Sequence, residues 1–110
     1  MVIQQNCNFI ENASAPIVSK TFSNAASDTL TLQISGANGK YYLEGRNNSM
    51  GDWFALAGIS LSDFSAHRGV FTKAGIYEIG VVGIREVRVR IESVEGNVSI
   101  FGQMISTEET

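Results

Sequence analysis

Along much of this chain apolar side chains recur at every second position, the spacing that turns one face of a β-strand to a core and the other to water. The pattern is cleanest near the end, where Val87, Val89 and Ile91 alternate with Arg88, Arg90 and Glu92. After Glu95-Gly96-Asn97 it resumes, with Val98, Ile100, Gly102 and Met104 on one face and Ser99, Phe101, Gln103 and Ile105 on the other. Two such runs around a short turn predict a β-hairpin. A second hairpin is predicted upstream, where Leu30, Leu32 and Ile34 alternate with Thr29, Thr31 and Gln33, and Tyr41, Leu43 and Gly45 with Tyr42, Glu44 and Arg46. Asn38-Gly39 lies between these runs, and such a pair tolerates the positive φ of a tight turn. Residues 75–82 are too apolar to declare a wet face and read as a central strand.

Shorter strands are expected at residues 17–22, 53–56 and 70–72, while residues 60–66 have the composition of a single helical turn or a loop. No segment long enough for a helix of ten residues shows 3.6 periodicity. The sum is about seven to nine short strands at regular spacing, which predicts an all-β antiparallel β-sandwich, jelly-roll or immunoglobulin-like. A length of 110 residues suits one domain, since two would each be short of core. Within it, residues 1–12, with Val2, Ile3 and Phe9, read as an assembly arm that adds a strand to a neighbour's sheet. Residues 106–110 read as a frayed tail. Phe101 and Ile105 stand on the nominally wet face of the last strand, so a loop or a second copy is expected to cover them.

Composition narrows the function classes. Hydrophobic residues make up 44% of the chain and charged residues 17%, the balance of a folded protein. Eight basic against eleven acidic residues leave a net charge of -3, which opposes attraction to phosphates, so no nucleic-acid partner is expected. Cys7 is the only cysteine, which excludes an intrachain disulfide and a four-thiolate metal site. Residues 1–12 show no basic cluster followed by an apolar run, and no stretch nears the roughly 18 apolar residues of a membrane span. Neither a signal peptide nor a membrane association is therefore expected, and synthesis in a cytoplasm is.

Candidate chemistry is sparse. His67 is the only histidine, near Asp63 and Ser60, Ser62 and Ser65. Triad members usually meet from well-separated segments, and no nucleophile elbow is present, so a loop is preferred to a hydrolase site and no enzyme is expected. No cofactor or metal is implied, calcium among loop oxygens being the one option left open. Arg85, Arg88 and Arg90 form the only basic concentration, but Glu86 and Glu92 share the face of Arg88 and Arg90 and make it a mixed-charge surface. The recognition candidate is the segment carrying Arg46, Asn48, Asp52 and Trp53. A tryptophan among amides and charges can stack on a sugar while its neighbours take the hydroxyls. The competing reading sends Trp53 into the core with Phe54, Ala55 and Leu56.

The succession Leu30-Thr31-Leu32-Gln33-Ile34, Tyr42-Leu43-Glu44-Gly45-Arg46, Asp52-Trp53-Phe54, Gly75-Ile76-Tyr77-Glu78-Ile79, Val87-Arg88-Val89-Arg90-Ile91 and Val98-Ser99-Ile100-Phe101-Gly102 resembles small phage-encoded β-sandwich proteins. These include head decorations, head fibres and tail or baseplate accessories. The resemblance implies a virion location, a structural or accessory role, no cofactor, and self-association, with a trimer among the options and other virion proteins as partners. A carbohydrate-binding module for host-surface attachment, using the loop from Arg46 to Trp53, is the alternative.

Overall fold

The alternating runs become the long strands of two facing antiparallel sheets in the computed structural model, which describes residues 2–24 and 26–107. Eleven strands follow one another: β1 (Val2–Ala13), β2 (Ile17–Val18), β3 (Phe22–Ser23), β4 (Thr29–Gly36), β5 (Gly39–Arg46), β6 (Phe54–Ala55), β7 (Gly58–Ser60), β8 (Ala66–His67), β9 (Gly75–Gly80), β10 (Glu86–Val94) and β11 (Val98–Thr107). The larger sheet has the order β1-β11-β4-β9-β7-β8; the smaller runs β2-β10-β5-β6, with β3 also on β10. Taking β2 and β3 as one interrupted strand and β7-β8 as an added hairpin, successive strands alternate between the sheets except at β5-β6, as in a jelly roll.

This order corrects both predicted hairpins. β4 and β5 lie in different sheets, as do β10 and β11. A corner that passes a strand to the opposite sheet keeps the same inward parity as a hairpin, so alternation alone does not separate the two. The two corners close on each other instead: the Ala37 N–H donates to Asn97 O and the Glu95 N–H to Asn38 O, each at 2.9 Å. Gly36 takes the positive φ, 116°. Gly39 serves a close approach, since a Cβ there would lie 2.3 Å from Ser93 O.

Between the sheets lie the inward residues of every long strand, among them Leu30, Leu32 and Ile34 of β4, Leu43 of β5, Val87, Val89 and Ile91 of β10, and Ile100 and Met104 of β11. Burying each such side chain stabilises the fold by about 1.5–3 kcal/mol, which explains why strict alternation survives in the strands that face across the core. Residues 70–72 contribute buried Phe71, which bridges Tyr41.

Residues 1–12 are built into the chain's own larger sheet as an edge strand. β1 pairs with β11 of its own chain from Val2↔Thr107 to Ala13↔Val98. Phe9 is buried, packing edge-on against Phe22 at 5.1 Å, and leaves the predicted assembly surface. The side chains of Val2 and Ile3 lie outside the described residues, as do residues 108–110; Ser106 and Thr107, expected in a frayed tail, belong to β11. A register shift at Asn8/Ile10 turns both Phe9 and Ile10 inward, which strict alternation does not allow. β9 is central, between β4 and β7, yet it has a wet face after all, with Tyr77 and Ile79 buried and Ile76 and Glu78 exposed. The apolar Val82 that obscured this lies past the strand end and is 75% exposed. Residues 60–64 make one helical turn, the Phe64 N–H donating to Ser60 O at 2.8 Å.

Candidate functional site

The outward positions of β5 and β10 form a ladder of charges and rings. Register places Arg88 opposite Glu44, Arg90 opposite Tyr42 and Glu86 opposite Arg46. Glu44 accepts from Arg88 Nε at 2.9 Å through Oε1 and from Arg90 Nε at 3.0 Å through Oε2. Covered by both guanidinium groups, Glu44 is buried although it points away from the core. Arg46 Nε donates to Glu86 Oε1 at 2.8 Å. The aromatic rings fill the gaps: Arg90 lies 4.2 Å from the Tyr42 ring centroid, and Arg46 and Arg88 each lie 4.3 Å from that of Trp53. Delocalised, weakly hydrated guanidinium groups suit this combination of stacking and ion pairing.

Trp53 therefore belongs neither to the core nor to an open platform. It is half-buried on the outside of the smaller sheet, its ring engaged by two arginines of its own chain. Following it, β6 pairs with the end of β5 and leaves Phe54 68% exposed, so this strand does not enter the core. The loop between β5 and β6 is ordered by its own hydrogen bonds: Asn48 Oδ1 accepts the Met50 N–H and Asn48 O the Gly51 N–H, both at 2.9 Å. Asn48 and Asp52 are exposed. Of the four predicted recognition residues, Arg46 and Trp53 meet in one stack, and Asn48 stands on the loop that the stack closes. Asp52 lines a different cleft, with Phe54, Leu56, Val82 and Ile84.

Beside the loop, Asn47, Asn48 and Ser49 face Ser23, Arg85 and Glu86 across a cleft of about 440 Å³. Sequence reasoning included Asn47 and Ser49 in the recognition segment and missed Ser23 and Arg85 as their neighbours. β3 reaches β10 only through the pairings Glu86↔Ser23 and Val87↔Phe22, and no local motif announces that contact.

The larger sheet presents a different outer face. β1 contributes Gln4, Asn6 and Asn8, β4 Thr29, Thr31 and Gln33, and β11 Phe101, Gln103 and Ile105, in register across three strands. Ile76 and Glu78 of β9 and Ile59 of β7 extend it. Phe101 and Ile105 are half-buried among these neighbours, whereas Ile59 and Ile76 are 48% and 46% exposed.

His67, Ser65 and Asp63 do come together, but in an order unlike that of a triad. Ser65 Oγ donates to Asp63 Oδ1 at 2.7 Å and lies 3.2 Å from His67 Nε2. The acid thus holds the hydroxyl proton rather than orienting the imidazole, the opposite of what activates a serine. Hydrogen bonds from the Ser65 hydroxyl and backbone N–H, the largest influences, hold the Asp63 carboxyl below its usual range. The His67 ring packs edge-on against Tyr77 at 5.1 Å.

No helix among the described residues is long and apolar enough to cross a membrane. The family model for XepA matches residues 4–104. Two solved structures share the fold. The SPBc2 prophage-derived protein YomS is 23% identical with a TM-score of 0.85, the likeness covering 96% of each chain. The PBSX exported protein XepA is 19% identical with a TM-score of 0.86 over 96% of this chain and 38% of that one, so the present chain spans well under half of XepA. No curated protein matches by sequence.

Proposed function

Because the chain belongs to the XepA family, a phage-associated group, we propose that it is a non-enzymatic structural or accessory component of a phage or prophage particle. It is made in the host cytoplasm and incorporated into the virion through its sheet surfaces. The observation that carries this reading is the outer face of the larger sheet. Its amides and hydroxyls can pair with another protein surface, and Ile59 and Ile76 supply apolar area that the chain itself leaves open. Such a face suits contacts with copies of the same chain and with other virion proteins. The jelly roll serves capsid and lectin domains alike, so the fold by itself does not choose among roles.

The experiment is to tag the chain, induce the phage and separate the lysate on a density gradient. Cosedimentation with particles is expected, and a tag that stays wholly at the top with free protein would refute the proposal. Mass measurement of the purified chain, expected to exceed that of a monomer, tests self-association separately.

A second reading, attachment to a surface carbohydrate through the loop from Arg46 to Trp53, is favoured by the ordering of that loop and by the polar cleft beside it. The engaged Trp53 ring moves the point of contact away from tryptophan stacking.

A further inference from the structure

The cleft between the Asn47–Ser49 lip and β3 has a one-sided chemistry. Hydroxyls of Ser23 and Ser49 and amides of Asn47 and Asn48 line it, with Arg85 and Glu86 in the opposite wall. Glu86 already gives one carboxylate oxygen to Arg46. Arg85, exposed, makes no ion pair among the described residues. Buried Asn24 is fully occupied: its Nδ2 donates to Ser27 O, Val81 O and Ile84 O, and its Oδ1 accepts the Ser27 N–H. It therefore builds the wall and is not available to a ligand.

Both sides of the cleft are held in place before anything binds. The Arg85 N–H donates to Arg46 O at 2.9 Å, and Arg85 O accepts the Asn24 N–H at 2.8 Å, so the backbone beneath the free guanidinium is fixed. On the lip, Asn48 ties down Met50 and Gly51, and the Arg46-Trp53-Arg88 stack holds the far end of the loop against the sheet. Preorganisation of this kind lowers the ordering cost of binding a small polar ligand.

We propose that this cleft binds a hydroxyl-rich carboxylate of the uronic-acid type, as carried by acidic polysaccharides. Arg85 takes the carboxylate, and Ser23, Asn47 and Ser49 take ring hydroxyls. The planar guanidinium fork matches a carboxylate, while the adjacent Glu86 and the net charge of -3 oppose a doubly charged phosphate. Trp53 is a positioning residue here: it fixes the lip and does not touch the sugar. The inference deepens the attachment reading and rests on it.

Amide chemical shifts of the full chain titrated with glucuronate, and separately with glucose, provide the test. Glucuronate is expected to move Asn47, Ser49 and Arg85 and to bind about tenfold more tightly than glucose, a preference due to the charge-assisted pair. Arg85→Gln should erase the preference, whereas Trp53→Ala should weaken both sugars severalfold and leave the preference standing. The proposal is overturned if no shifts appear by about 50 mM, a weak limit even for a lone sugar, if Arg85→Gln keeps the preference, or if the shifts centre on the Trp53 indole. Binding of tagged protein to host cells separates the two levels: retention by Arg85→Gln together with a silent cleft removes the uronate site and spares attachment, and no cell binding by the unaltered chain removes both.

Discussion

The two outer faces of this sandwich are built over the same kind of core and solve opposite problems. On the smaller sheet, Glu44, Arg88, Arg90, Arg46, Glu86, Trp53 and Tyr42 answer one another in a closed set of ion pairs and stacks. On the larger sheet, the amides make only long contacts, Gln103 Nε2 standing 3.3 Å from Asn6 Oδ1 and 3.5 Å from Gln4 Oε1, and Ile59 and Ile76 each stay nearly half exposed. A surface that satisfies its own polar groups has little to offer a partner, whereas one whose donors, acceptors and apolar area stay open can gain all of them on association. The charged face is thus largely closed on itself and the bland face left open, the reverse of what charge alone suggests.

Removing the hub of the charged face should have the largest effect. Glu44→Ala strands two half-buried guanidinium groups, and a loss of about 3 kcal/mol is expected in urea unfolding. A loss of under about 1 kcal/mol would mean that the ladder behaves as ordinary surface pairs and that the contrast between the faces is false. Alkaline pH probes the core between them. Burial pushes the Cys7 thiol up from 9.0 to about 11, and burial also raises the Tyr41 and Tyr77 hydroxyls. An unfolded thiol ionises first, so this part of the stability is complete below pH 9 and drains away as pH rises through 11. The Cys7 share is about 2–3 kcal/mol. Glu44→Ala should lower the whole stability curve without altering this slope; Cys7→Ala should make it shallower and leave the tyrosines' part standing. Gly102→Ala is next, at about 2 kcal/mol, because its Cβ would meet Phe9 Cε2 at 2.6 Å. That outcome would show the larger sheet to be strict on its inner face while permissive on its outer one.

How much of this could be read from the residues depends on what each pattern encodes. Period two fixes which side of a strand meets the core, and it places Val87, Val89, Ile91, Leu30, Leu32 and Ile34 correctly. It says nothing of which strand lies alongside, so Asn38-Gly39 and Glu95-Gly96-Asn97 suggest hairpins where the chain crosses between sheets. Residues 1–12 show the same limit: Val2, Ile3 and Phe9 announce a strand, but nothing local says that its partner is β11 of the same chain rather than a neighbour's sheet. Trp53 is undecidable locally, because its position is set by Arg46 and by Arg88, thirty-five places along the chain. Glu44 reads as one polar position among several until the register sets it between Arg88 and Arg90. Arg85 reads as part of a basic run, although its neighbours Arg88 and Arg90 are both paired with Glu44 and it is not.

The smallest expected effect on stability decides most about the open face. Ile59 and Ile76 project from β7 and β9, strands that pair side by side in the larger sheet. Replacing both by threonine keeps β-branched side chains on a pleated surface, so strand propensity is preserved and only exposed apolar area is lost. Unfolding free energy should change by no more than about 0.5 kcal/mol. If this face binds copies of the chain or a virion partner, the same pair of substitutions should still abolish the excess mass in solution and the cosedimentation with particles, since a contact centre tolerates the loss of its apolar anchors poorly. A variant that folds as well as the parent and associates as well would show that the exposed isoleucines are ornamental, and the interactive face would have to be sought along the free edges of β1 and β8.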